Sequence, residues 1–445
     1  MTRNSQKGAL GLWVHKLQSL AFHENFIPEG CGANFSAVRA ITTGTGANTD
    51  DIMNFAAQHK STFIGGYSPT IGASGGYVQG GGHSVLSPVF GLAADRVVEF
   101  KIVTPDGIFR TANQCQNKDL FWALRGGGGG TFGVVLNATH RVEKAMPIAV
   151  ASIRLPSNGT AETSLKWVEL IARESLNWGK KGWGGHAAGL YLTYMNPLPA
   201  IANVTDNGAA AKVSMKTATD FSLAVGGTSV VEVLPDYIDV WNKYAEPGAA
   251  ATAGQARFIS SRLLPRRLFE DDAGINKIMD YLRTMQNWGF DPRNIYIPVD
   301  TPFVADQAKV SGPTTGGEQE TSFHPAWYDA LWELATSFTL LTNTSYSERL
   351  QNITTLTKST LLIEDLTGAG GGSYVNEANP FTPNWRESWW GDNYARLLQI
   401  KNKYDPERLL NCWKCVGFED EDIFSERFHC QGKLQFDVNS ELQAS

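Results

Sequence analysis

Residues 65–135 read GGYSPTIGASGGYVQGGGHSVLSPVFGLAADRVVEFKIVTPDGIFRTANQCQNKDLFWALRGGGGGTFGVV. Two glycine clusters, Gly80–Gly82 and Gly126–Gly130, flank an apolar strand pair joined by the turn Thr104-Pro105-Asp106-Gly107. Glycine has no Cβ, so its backbone N–H can come close to a ligand. Consecutive N–H groups in such turns form an anion-binding concavity. Two of them, spaced by sheet, suit a long ligand with a diphosphate in its middle. One cluster alone reads more simply as a glycine-rich loop without a ligand; the pair in this frame reads as a site.

Working outward, Ala37–Thr43 reads as a strand and Asp50–Lys60 as a helix capped by Asn48 or Thr49. Thr62–Tyr67 reads as a strand leading to the first glycine loop. Arg96–Val103 and Ile108–Ala112 read as a hairpin over the Pro-Asp-Gly turn, Lys118–Leu124 as a short helix, and Phe132–Val142 as a further strand. From about Ala149 to Gly370, strands such as Ala149–Arg154 and Ala188–Tyr194 alternate with helices such as Ala161–Asn177 and Asp272–Gln286. That is an α+β pattern, a sheet with helices on one face.

A chain of 445 residues with 42% apolar content can bury a large core and should form two domains. A net charge of −6 and 18% charged residues argue against nucleic acid or an anionic membrane as partner. No apolar run approaches the length of about 18 residues that a membrane span needs. The opening MTRNSQKGALGLWVHKLQSL is a poor export signal, its apolar run being broken by His15 and Lys16. Yet six glycosylation sequons, at Asn34, Asn137, Asn158, Asn203, Asn343 and Asn352, exceed chance and hint at a secretory ancestry. Five cysteines leave at least one unpaired. Location stays open.

The glycine-rich segment resembles the FAD-binding domain of the fungal berberine-bridge-enzyme-like flavin oxidoreductases. The matching residues are Pro69-Thr70-Ile71-Gly72, Gly75-Gly76-Tyr77, Gly80-Gly81-Gly82-His83, Gly91-Leu92-Ala93-Ala94-Asp95 and Asp119 through Val135. Far downstream, Tyr374-Val375-Asn376-Glu377, then Trp390-Gly391-Asp392-Asn393-Tyr394-Ala395-Arg396-Leu397, Lys401-x-Lys403-Tyr404-Asp405-Pro406 and Cys415-Val416-Gly417 follow in the family's order. The resemblance covers residues 8–145 and 370–418 well and the middle loosely. It implies an α+β architecture: a PCMH-type FAD-binding domain over residues 1–145 and a substrate domain with a helix-covered antiparallel sheet over 146–370. A C-terminal segment, 371–418, returns to the FAD domain, and a tail occupies 419–445. Relatives place one more section before GALGLWVHKL (8–17), ending in a loop whose histidine anchors the flavin covalently, so the chain is expected to lack the N-terminal part of the FAD domain. The family's second anchor, a cysteine, is Ser68 here, and a hydroxyl is not acidic enough to add as a thiolate does. FAD is therefore expected to be held non-covalently.

The resemblance implies Ser68, Thr70, Gly72, Gly75, Gly76, Gly80, Gly81, Gly82, His83, Asp95, Gly133, Val134 and Asn376 as cofactor-binding residues. Tyr374, Glu377 and Tyr77 are the catalytic candidates. A flavin oxidase needs a C–H bond positioned for hydride loss and a group that takes the neighbouring O–H or N–H proton. Tyr374 and Glu377 are candidates for that base, Tyr77 for stabilising charge on the reduced ring, and His83 for a donor or a loop cap. The expected activity is oxidation or oxidative cyclisation at a C–OH, C–N or related bond of a small molecule in secondary metabolism, by a monomer, with molecular oxygen as acceptor. The different-class alternative is a truncated, flavin-free remnant that binds a ligand or does nothing.

Four patterns compete with this reading. Gly44-Thr45-Gly46 lacks the third glycine of a dinucleotide fingerprint, and Asp50 and Asp51 would repel a pyrophosphate. Gly72-x-Ser74-x-Gly76 matches a serine-hydrolase elbow but lacks a good helix after the serine and a nameable base. Cys412-x-x-Cys415 with His429-Cys430 could be read as a zinc site, although a disulfide or buried thiols explain the spacing, and no metal is read from the sequence. Trp385, Trp389 and Trp390 could stack on sugar but read better as core.

Overall fold

The computed structural model describes residues 7–32, 35–245, 256–304, 321–341 and 343–444. Its first sheet is built from short runs rich in β-branched and aromatic residues, which fit a pleated, half-buried surface. The strands are β1 (Leu20–Phe26), β2 (Val38–Gly44), β4 (Val97–Val103), β5 (Phe109–Asn113) and β6 (Val134–Arg141), in the order β1-β2-β6-β4-β5 and antiparallel throughout. A two-residue pair, β3 (Ser61–Thr62) with β7 (Glu143–Lys144), lies apart. The helix Thr49–Gln58 is capped by Asn48, whose side chain accepts from the Asp51 N–H at 2.9 Å. Cys31 and Cys115 are disulfide-bonded.

The second sheet has seven strands: β8 (Ile148–Arg154), β9 (Gly184–Ala188), β10 (Tyr191–Asn196), β11 (Thr228–Leu234), β12 (Ala256–Pro265), β13 (Tyr296–Val299) and β14 (Ala330–Leu340). Their order is β11-β8-β10-β9-β13-β14-β12, all antiparallel. The pleat sorts their side chains. Ala149, Ala151, Ala187, Leu264, Ile297 and Trp332 join one core with the helices Ala161–Lys180 and Asp272–Asn287. Alternate residues point the other way, so Ile148, Val150 and Leu263 pack with first-domain or C-terminal residues. His186 opposes Pro298, and Tyr296 opposes Ala335, on this second face. Asp300 and Glu333 are in phase with them, so the pleat gathers three ionisable residues on the face turned toward the first sheet and the C-terminal segment.

Residues beyond Gly370 return to the first domain. The Trp390 indole donates to the Gly126 carbonyl at 3.0 Å, Lys401 to the Thr131 carbonyl at 2.7 Å, and Lys403 and Tyr404 both bind Asp119, at 2.6 and 3.0 Å. Residues after 418 are ordered too: helix His429–Ala444 lies against helix Tyr346–Leu362, with Phe428 and Val438 buried. Trp385, Trp389 and Trp390 are core. Among the described residues no helix is long and apolar enough to cross a membrane.

Two expected strands differ. Of the expected Thr62–Tyr67 strand only Thr62 joins a ladder, as the end of Ser61–Thr62; Phe63 and Ile64 are buried outside any strand. The expected Ala188–Tyr194 strand is a hairpin, β9–β10, turning at Gly189-Leu190. A Cβ at Gly189 would fall 2.1 Å from the Pro292 carbonyl oxygen, so the backbone there runs against another segment.

Lys401 anchors the return segment. Its ammonium, 2% exposed, also binds the fully buried Asp405 at 2.5 Å and the Leu410 carbonyl at 3.0 Å. Lys401→Met leaves a buried carboxylate without its cation, which costs about 3–5 kcal/mol. The denaturant midpoint should fall accordingly.

Candidate active site

The second glycine cluster touches the loop that leads into the first. Gly128 N–H donates to the Gln79 carbonyl at 2.9 Å, and a Cβ on Gly129 would lie 2.7 Å from Gly76 Cα. A Cβ on Gly80 would lie 2.4 Å from Asn376 Nδ2. These glycines admit a second chain segment rather than a ligand. Others stay open: a Cβ at Gly76 or Gly130 would meet nothing within 4 Å, and at Gly72 or Gly75 only Thr45, at 3.3 and 3.5 Å. Ser68 and Thr70, with hydroxyls 3.5 Å apart, continue this strip at one end, and the exposed Asn376 borders it at the other. Asn376 donates to the Gly76 carbonyl at 3.0 Å and to the Tyr374 hydroxyl at 2.8 Å, tying the C-terminal motif to the first glycine loop.

The remaining expected cofactor residues sit deeper. Gly81 and Gly82 are buried. Asp95 is held by the Leu92 N–H at 2.8 Å and the Tyr328 hydroxyl at 2.7 Å, and burial raises its pKa despite those bonds. Gly133 and Val134 stand where β6 begins, Val134 opposite Val103 of β4.

Behind the open strip lies a cluster that the sequence did not reveal. His83 Nδ1 is 2.9 Å from Asp300 Oδ2, and the same oxygen is 2.9 Å from His186 Nε2. On the other edge of its ring, His83 Nε2 faces Glu377 Oε1 at 3.4 Å and Glu333 Oε2 at 3.9 Å. Four segments meet here: the first glycine loop, β9, the β13–β14 region and the Tyr374-Val375-Asn376-Glu377 motif. The Tyr67 and Tyr296 rings enclose His186 at 4.6 and 5.2 Å between centroids. Glu333 is 1% exposed, and among the described residues Asp300 Oδ1 has no hydrogen-bond partner and the Glu333 oxygens have none within ordinary hydrogen-bond geometry. Among the described residues no lysine or arginine pairs with any of the three carboxylates.

The electrostatics follow from that imbalance. Burial opposes charge on His83, but the Asp300 bond and the Glu377 and Glu333 carboxylates prevail and hold its pKa well above the usual value. Burial pushes Glu333 up, the nearby Glu377 charge adding to it. Burial also opposes the Asp300 charge, yet His186 and His83 keep that carboxyl below its ordinary value. Burial raises Tyr374 and Tyr77 as well. The Tyr77 hydroxyl donates to the His83 carbonyl at 2.8 Å, and that of Tyr374 to the Tyr77 carbonyl at 3.4 Å. A glutamate between Trp332 and Leu334, and a histidine before Ala187, are polar interruptions of apolar strands; that was the available signal.

The competing patterns resolve structurally. Ser74 does have a histidine, His140 Nε2 at 2.9 Å, but both are buried, His140 Nδ1 has no partner, and burial lowers its pKa to about 3. Without an orienting acid or access to a substrate, this pair does not form a hydrolase triad. Cys412 is bonded to Cys415, and Cys430 is free and exposed. A Cβ on Gly46 would fall 2.4 Å from the His15 carbonyl oxygen, so that turn is filled by chain.

Comparison with known proteins agrees with the geometry. Residues 373–413 match the family model described as berberine and berberine like. An FAD-linked oxidoreductase of Aspergillus flavipes is 38% identical, over 94% of this chain and 70% of the relative. Another, of Pyricularia oryzae, is 39% identical, over 97% and 70%. This chain belongs to the berberine-bridge-like FAD-linked oxidoreductases. Among solved structures, the VAO-type flavoprotein MtVAO615 from Myceliophthora thermophila C1 superposes with a TM-score of 0.75 at 29% identity, over 93% of this chain and 72% of that one. A glucooligosaccharide oxidase from Acremonium strictum, whose FAD is 6-S-cysteinyl, 8α-N1-histidyl, shares the fold at a TM-score of 0.66 and 20% identity, over 90% and 80%. The protein is thus an FAD-dependent oxidoreductase. The open backbone at Gly72, Gly75, Gly76 and Gly130 fits such a cofactor, since no side chain fills the strip and the ionisable cluster lies behind it.

Ser74→Ala removes a buried hydrogen bond to His140 and one to Thr43. It should lower stability by about 1–3 kcal/mol in a thermal melt and leave turnover unchanged.

Proposed function

We propose that the protein oxidises a C–OH, C–N or related bond of a small molecule with non-covalently held FAD, as a step in secondary-metabolite biosynthesis. It does so as a monomer, with molecular oxygen as final acceptor. One observation carries this reading: the open glycine strip ends at Asn376 beside Tyr374 and Glu377, and Glu377 faces His83. Bound FAD supplies the hydride acceptor. Ser68, Thr70, Gly72, Gly75 and Gly76 line its path, with Asn376 at the far end. Gly80, Gly81, Gly82, Asp95, Gly133 and Val134 support that path from behind.

Among the three catalytic candidates the geometry favours Glu377 as proton acceptor. Its side chain is 27% exposed, whereas the Tyr374 and Tyr77 hydroxyls already donate to backbone carbonyls. The imidazole of His83 fixes the orientation of the Glu377 carboxylate. Tyr374 and Tyr77 hold the loop that carries His83. Ser68 argues for a cofactor free of a sulfur link, because a serine hydroxyl does not supply the thiolate such a link requires.

The absorption spectrum before and after acid precipitation tests the cofactor. Flavin bands that move to the supernatant are expected. Colour kept in the pellet would overturn the non-covalent reading, and a chain that stays colourless with added FAD would overturn the oxidase reading itself. Once a substrate is found by peroxide release, Glu377→Gln should slow reduction of the bound flavin by about 10²-fold or more, and Tyr77→Phe much less.

A further inference from the structure

We infer that His83, His186 and Asp300 form a binding site for a first-row divalent cation, zinc above others. His83 Nδ1 and His186 Nε2 both lie 2.9 Å from one carboxylate oxygen, and the three ligand atoms fall within 4.8 Å of one another. In a tetrahedral site with bonds of about 2.0–2.1 Å, neighbouring ligand atoms stand about 3.3 Å apart, so a modest outward shift of the imidazoles seats the ion. Two imidazoles and a carboxylate, with a fourth position left for water or a hydroxyl oxygen, are a donor set that suits zinc.

Three further features point the same way. Metal-bound histidines almost always give their other N–H to a carboxylate or carbonyl, and His83 Nε2 faces Glu377 at 3.4 Å and Glu333 at 3.9 Å. The pocket holds three carboxylates and, among the described residues, no lysine or arginine pairs with them. Among the described residues Asp300 Oδ1 is buried without a partner, a cost that a cation bound by this carboxylate offsets. The two histidines and Asp300 come from a glycine-rich loop, β9 and the end of β13, so the site exists only in the folded chain.

A second trio, His83, Glu333 and Glu377, is looser, at 3.4 and 3.9 Å. Its oxygen-rich donors suit zinc less well than two imidazoles do.

The cation shares the cleft with the proposed oxidation, but its test reads metal content rather than turnover, so either reading can fail while the other stands. The full-length chain, purified from zinc-supplemented medium and passed through gel filtration, should carry about one zinc per chain by elemental analysis. Replacement by Co²⁺ should give the intense visible bands of a four-coordinate N/O site. Asp300→Asn and His186→Ala should lose the metal at least tenfold, while Glu333→Gln retains it; circular dichroism identifies the variants that fold. Wild-type chain that binds less than a tenth of an equivalent from zinc solution, or Co²⁺ with only its weak aqueous spectrum, would overturn the inference. So would loss of the metal in Glu333→Gln with retention in a folded Asp300→Asn variant, because that places the ion on the other trio.

Discussion

Everything in the catalytic half of this protein depends on one close approach, that of the second glycine cluster to the loop Gly76–Gln79 before the first. Gly129 lies against Gly76, and Gly128 is hydrogen-bonded to Gln79. The first contact leaves no room for a side chain at Gly129. Because the backbones touch, the loop carrying His83 is fixed relative to the sheet of β4 and β6. The same packing lets Asn376 reach the Gly76 carbonyl. A methyl group at Gly129 would push the loops apart and move His83 away from Asp300, although the two residues are far apart in sequence.

The site combines this rigid junction with an unbalanced set of charges. The seven-stranded sheet uses its two faces for different purposes: one is an apolar floor for helices, the other presents His186, Asp300 and Glu333. Asp300 and Glu333 are buried and Glu377 is partly so, and among the described residues none of them has a lysine or arginine partner, which works against stability. Such an arrangement persists where a ligand, a proton or a cation compensates it, which is why perturbed ionisation tends to mark functional sites.

The parts of this structure legible in the sequence are those whose signal is local. The hairpin over Pro105-Asp106-Gly107, the Asn48-capped helix and the helix Lys118–Leu124 announce themselves within a few residues. The glycine clusters and the Tyr374-Val375-Asn376-Glu377 motif were equally visible. What escaped depends on partners distant in the chain. Phe63 and Ile64 have the composition of a strand but no neighbour to pair with, and Gly189 turns because Pro292 lies across its path. His186, Asp300 and Glu333 are spread over nearly 150 positions and meet only through sheet register. Asp95 stood out as part of a recurring motif, yet its carboxylate is spent on Leu92 and Tyr328.

The return of the chain after Gly370 also governs how the protein can be made. The second glycine cluster is held by Trp390, Lys401 fastens Thr131, and Asp119 waits for Lys403 and Tyr404. During synthesis the ribosome must therefore reach Tyr404 before the first sheet receives these pieces. Until then, apolar surface around Phe132 and Leu120 lacks the cover that Leu397 and Trp390 later provide. Contacts between residues so far apart close slowly, and incomplete intermediates with exposed apolar surface tend to aggregate. The first sheet thus keeps apolar surface uncovered until the segment after Gly370 has been made, whereas the seven-stranded sheet has all its strands once Leu340 has been.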